Sequence, residues 1–234
     1  MSLDSTSRPS FSALRAMRSP NESERTRAFE LIIATHWRSI YKYIRRRWNK
    51  SSDDAKGLTL GFLSRMMQKG FFDRYDPARK RFRAFLREQV DSFVSIEHQP
   101  PSESELLPLD FSAAEEELTH DLSDPNKSHA ELFDSEWVRS LFTLAIEQLH
   151  NSLESQGKLL HFKLFQRFDL QDRSSGETLT LEQLAQEFSL STTEAARCLS
   201  DTHQSLNTIV LDLLRSLTSS NNEFRQEART LFGL

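Results

Sequence analysis

Seven cations fall in two short runs, Arg45-Arg46-Arg47 and Arg79-Lys80-Arg81 with Arg83, and Trp48, Phe72, Tyr75 and Phe82 lie near them along the chain. Cations hold phosphates, and flat rings stack on or wedge against unpaired bases, so these residue types together suit nucleic-acid binding. The same rings can equally pack a core while the arginines stay solvated, and the sequence leaves both readings open. Other chemistry has less behind it. Cys198 and His203 stand five apart on one predicted helix, which puts their side chains on different faces and disfavours a nucleophile and base. Glu115, Glu116 and Glu117 form an acidic run in a proline-bearing stretch and read as solvated carboxylates rather than metal ligands. The seven histidines lie too far apart to pair as ligands, and no glycine-rich phosphate loop occurs. A non-enzymatic protein is expected, with no catalytic residue, no metal and no cofactor.

The elements that must position the cations are helical. Only six glycines and seven prolines occur in 234 residues, which disfavours a turn-rich β sandwich, so the fold class is all-α. Residues 1–21 are rich in Ser, Arg and Pro and read as a flexible arm. From there Phe29, Ile32, Ile33, Trp37, Ile40, Tyr41, Ile44 and Trp48 recur in steps of three and four, one apolar stripe on a helix. Ser51 with Asp54 fits a capping box, and Ala55, Leu58, Phe62, Leu63, Met66 and Met67 line a second helix ending near Gly70. After the Asp76-Pro77 turn a third helix carries Phe82, Phe85, Leu86, Val90, Phe93 and Val94 until Pro100 and Pro101 stop it. Residues 99–136 hold eleven acids against one lysine and read as a mobile acidic linker. Helical periodicity resumes at Trp137. Leu181, Leu184 and Phe188, a turn at Ser189 and Leu190, and a capping box at Ser191 and Glu194 then outline a helix-turn-helix.

Two small helical domains are therefore expected, at residues 22–98 and 137–234, joined by the 99–136 linker. Their charges differ. The net charge of −4 divides into +2 for residues 1–21, +7 for 22–98, −10 for 99–136 and −3 for 137–234. A basic block beside an acidic one points to a polyanion-binding module and a segment that competes for its surface. The single Cys198 cannot form an internal disulfide, which fits a reducing compartment. With no early apolar run and no stretch of about 18 apolar residues, membrane insertion is not expected, and a cytoplasmic location is.

The ordered motifs resemble a known family. His36-Trp37-Arg38-Ser39-Ile40-Tyr41-Lys42-Tyr43-Ile44-Arg45-Arg46-Arg47 resembles the opening helix of region 2 in RNA polymerase sigma factors of the extracytoplasmic-function type, in particular a planctomycete-like subgroup. Asp54-Ala55, Leu58-Thr59 and Phe62-Leu63 are similar to its polymerase-binding helix, and Asp76-Pro77-Ala78-Arg79 with Arg81-Phe82-Arg83-Ala84-Phe85-Leu86 to the turn and helix that follow. Leu132 to Trp137, Gly157-Lys158 and Arg229-Thr230-Leu231-Phe232 resemble the lead-in to region 4 and the C-terminal ending. The likeness covers roughly residues 29–234.

The resemblance implies a transcription-initiation subunit. Its region 2 would bind the clamp of core RNA polymerase through Asp54, Leu58, Thr59 and Phe62 and open promoter DNA with Arg45, Arg46, Arg47, Arg79, Lys80, Arg81 and Arg83. Its region 4 would bind the polymerase flap and meet the upstream promoter element through Thr192, Thr193, Arg197 and Gln204. An anti-sigma protein is a further partner that the family implies. Several positions depart from the family pattern. Gly57 and Leu60 stand where an Asp and a Gln are usual, Ile96-Glu97-His98-Gln99-Pro100 replaces an Asp-Glu-Arg-Arg type run, and Arg197 is the one fixed cation among the aligned recognition-helix positions. A degenerate sigma-like regulator that binds polymerase or another protein without reading a promoter is therefore the rival expectation, with a scaffold behind it.

Overall fold

The structure, a computed structural model, describes residues 12–68, 70–96, 109–121, 128–171 and 179–232. Every element among them is helical. By internal contacts the chain divides into two compact units, residues 1–141 with 214–234 and residues 142–213.

The first unit begins with a single turn, α1 (Ala13–Ala16), whose Ala13, Leu14 and Ala16 are buried. The expected arm therefore does not extend through residues 12–21: Ser12 Oγ donates to Thr218 O at 2.8 Å and Arg15 donates to Ser219 O at 2.7 Å. The spine of this unit is α2 (Glu22–Arg47). Asn21 caps its first turn by accepting from Ser23 N, Glu22 and Glu24 follow, and three arginines close it, an arrangement that complements the helix dipole at both ends. The stripe from Phe29 to Ile44 is buried as its spacing requires. Next comes α3 (Ser52–Met67), capped by Ser51 Oγ accepting from Asp54 N. Gly70, at φ 89°, takes the left-handed turn that releases the chain into a 3₁₀ turn, Phe72–Arg74, and α4 (Phe82–Ile96) follows. Phe62, Phe71, Phe72, Tyr75, Phe82, Phe85 and Phe93 form a ring cluster with centroids 5.2–6.1 Å apart, edge-on or tilted except for the stacked pair Phe72 and Phe82.

The stretch expected to be a linker is partly helix. α5 (Phe111–Asp121) packs on α2 through Ala114, Leu118 and Phe111, whose ring lies 5.2 Å from Trp37 and 5.1 Å from Tyr41. α6 (His129–Ser155) starts eight residues before Trp137, because Ser128 and Glu131 form a reciprocal cap and Leu132 and Phe133 are buried. Residues 99–108 and 122–127 lie outside the described residues.

In the second unit α7 (Leu159–Phe165), a π-helical turn at Gln166–Gln171, α8 (Leu181–Glu187) and the first part of α9 (Thr192–Ser216) surround a core of Leu149, Leu153, Phe162, Leu164, Phe165, Leu184 and Leu199. Thr180 and Gln183 cap α8 reciprocally, as Ser191 and Glu194 cap α9. Between them Ser189 sits at φ 55°, and Leu190 N reaches back to Ala185 O at 2.8 Å, which ends α8 sharply. The last helix, α10 (Asn221–Phe232), belongs to the first unit. Residues 137–234 therefore do not form one body. The division falls within α6 and within α9.

Candidate nucleic-acid interface

The predicted cations share the first unit but not one environment. Arg79 and Arg81, on the turn that leads into α4, are exposed and make no ion pair among the described residues. Lys80 between them pairs with Glu88. Arg47 is exposed and lies over the Trp48 ring, 5.6 Å from its centroid. Arg46 is half-buried, with Nη1 enclosed and lacking a hydrogen-bond partner.

Arg45 and Arg83 are occupied from within the chain. Arg45 holds Glu115 of α5 through both Nε and Nη2, and Tyr41 donates to the same carboxylate at 2.6 Å. The Arg45 hydrogen bonds keep the Glu115 carboxyl below its ordinary range. Two residues on, Glu117 takes Arg38 at 2.6 Å and Lys42 at 3.0 Å. Burial pushes the Glu117 carboxyl up, but these bonds more than offset it and the net displacement is downward. Lys42, fully enclosed, also pairs with Glu136 of α6 at 2.8 Å, and Arg139 completes the network at 2.8 Å from Glu136. The acidic run is thus not simply solvated: Glu117 pairs with Arg38 and Lys42 of α2, and Glu115 with Arg45 further along the same helix. Arg83 is buried, paired with Glu227 of α10, 3.2 Å from Asp134 and stacked 4.1 Å over Trp137.

The aromatic residues divide as well. Phe72, Tyr75 and Phe82 belong to the core cluster and offer no face for stacking on a base, whereas Trp48 stays half-buried at the end of α2 with Nε1 donating to Asp91. On α3, Asp54 is exposed, but Leu58, Thr59 and Phe62 are 2%, 0% and 0% exposed. The expected polymerase contact at these three positions is corrected accordingly. They face α2 and α4 because their spacing is that of the helix's apolar stripe, and Thr59 bonds Ala55 O at 2.7 Å. The outward face of α3 carries Asp53, Asp54, Lys56 and Met67 instead.

In the second unit Thr192, Thr193, Arg197 and Gln204 are all exposed on α9. Gln204 borders a shallow groove of about 600 Å³ with Phe168, Leu181, Ala196, His203 and Asn207, a lining without lysine or arginine. Cys198 and His203 do not meet, as their spacing predicts. Cys198 Sγ lies 3.5 Å from His161 Nε2, and His203 Nε2 lies 2.8 Å from Asp169. Sequence reasoning missed Glu115, Glu117, Glu227 and Asp134 as partners of the cations. A signal for the first two was present: Phe111, Ala114 and Leu118 recur at helical spacing inside the acidic stretch. Comparison with protein-family models, with curated proteins and with solved structures returned no match.

Proposed function

We propose that the chain is a sigma-like transcription-initiation subunit that acts in the cytoplasm by binding core RNA polymerase and promoter DNA. The ordered motifs motivate this reading, and one observation carries it: Arg79 and Arg81 stand exposed, with no ion pair among the described residues, on the turn where the resemblance expects promoter contact. The remaining surface agrees with that role. Arg47 and Trp48 offer a cation with a flat ring at the end of α2, the pairing that holds a phosphate beside an unpaired base. α8, a four-residue turn and α9 have the helix-turn-helix outline that a region 4 would need, and α2, α3 and α4 are helices in the order that a region 2 would need, which supports the reading. No helix among the described residues is long and apolar enough to cross a membrane.

A second reading is favoured by a specific feature. On α9 the exposed Arg197 stands between two exposed acids, Glu194 and Asp201, and phosphate contacts supply most non-specific DNA affinity, so this helix is poorly equipped to read duplex DNA. In that reading the protein binds polymerase and regulates without selecting a promoter. Capture of core polymerase by the full chain, followed by run-off transcription on genomic DNA, separates the two. Discrete transcripts support the initiation subunit, capture without transcripts supports the regulator, and failure to capture polymerase removes both.

A further inference from the structure

The last helix is held by charge rather than by apolar packing. The only side chains that α10 buries fully are Glu223 and Glu227, one turn apart on one face, while Phe224, Leu231 and Phe232 are half-buried. Glu223 Oε1 accepts from Tyr75 OH at 2.6 Å and from Phe82 N at 3.1 Å, so a carboxylate from the far end of the chain caps α4. Its other oxygen accepts from Ser219 N at 2.8 Å and Ser219 Oγ at 3.0 Å. Glu227 pairs with Arg83, and each of these side chains is 4% exposed. A phenol, a backbone amide and a guanidinium thus present donors to two carboxylates of one helix.

Such a contact contributes little net stability, since desolvation of both ions offsets their attraction, yet removing the Glu227 anion alone leaves the buried guanidinium with only the longer Asp134 contact at 3.2 Å. α10 is therefore poorly released into water but readily exchanged for another anion. The neighbouring charges indicate which anion. Arg79 and Arg81, on the turn that leads into α4, lie four and two residues before Arg83 and make no ion pair among the described residues, so a polyanion seated on them is close along the chain to the α10 contact. We propose that Tyr75 OH, Phe82 N–H and Arg83 form an anion site that α10 fills in cis and that a nucleic-acid phosphate fills in trans, with α10 leaving as the strand enters. This rests on the nucleic-acid reading above and adds to it a site and a displaced occupant.

The test uses the full chain with a labelled single-stranded DNA oligonucleotide. Hydrogen exchange should show the amides of residues 221–232 losing protection when the oligonucleotide saturates the protein. The Glu223→Gln/Glu227→Gln variant, checked for helix content by circular dichroism, should bind the same oligonucleotide about tenfold more tightly. Saturable binding with unchanged protection of residues 221–232 overturns the displacement and leaves nucleic-acid binding standing. Loss of protection on adding polyglutamate but not the oligonucleotide overturns the assignment of the ligand. No binding by either protein overturns the nucleic-acid reading itself and the inference with it.

Discussion

His36 lies inside the first unit, with Nδ1 2.9 Å from Ile32 O and its ring edge-on to Phe82 at 5.5 Å. Burial holds its pKa down from 6.5 to about 3, opposed by the Ile32 bond and reinforced by the nearby Arg83 charge. The folded protein keeps this imidazole neutral while the unfolded chain protonates it below pH 6.5, so its contribution is full above that pH and is lost as pH falls towards 3. Between pH 7 and 5 the loss is about 2 kcal/mol. Urea unfolding at the two pH values should show it, and His36→Asn should reduce the difference by about that amount. Phe62 gives a second test at this scale. Because its ring is fully buried among Phe71 and Phe93, Phe62→Ala should cost about 3–5 kcal/mol. Polymerase binding lost in this variant would then follow from unfolding, so Asp54→Arg, at an exposed position, is the cleaner probe of docking on α3. It should lower polymerase capture and leave the melting temperature within a few degrees.

At the scale of elements, release of α5 from α2 has its own readout. Glu115→Gln with Glu117→Gln should free Arg38 and Arg45 and raise affinity for single-stranded DNA roughly 3- to 10-fold, measured by anisotropy at fixed salt. Unchanged affinity would remove α5 as a competitor for the basic face. Helices α2, α3, α4 and α9 were legible because apolar stripes at steps of three and four mark them locally, with Ser51 and Ser191 capping α3 and α9. α5 and the start of α6 were not, since acidic composition and prolines obscured the short stripes at Phe111, Ala114 and Leu118 and at Leu132 and Phe133. The candidate site was half legible. Arg79, Arg81 and Arg47 lie at the surface as their charge demands, but no local rule could place Glu227 against Arg83, 144 residues away. Aromatic residues beside cations could not be assigned from sequence either. Phe72, Tyr75 and Phe82 are buried in the ring cluster with Phe71 and Phe85.

For the molecule as a whole, the distribution of unpaired cations predicts where nucleic acid binds. Arg79→Gln with Arg81→Gln should weaken oligonucleotide binding and lower the slope of log affinity against log salt by roughly 1.4, about 0.7 per phosphate for a single strand. Replacing Thr192, Thr193 and Arg197 by Ala should change affinity less than about twofold, since these positions supply one cation among them. The attachment of α5 to the chain whose surface it covers has a further consequence. A tethered competitor has a fixed effective concentration, on the order of millimolar for a short connection, whatever the amount of protein. The affinity withheld by Glu115 and Glu117 is then the same fraction at nanomolar as at micromolar protein, and neither dilution nor overexpression relieves it. Cutting the backbone on both sides of α5, within 99–108 and within 122–127, would turn the helix into an ordinary solute, and its hold on Arg38, Lys42 and Arg45 would fade on dilution.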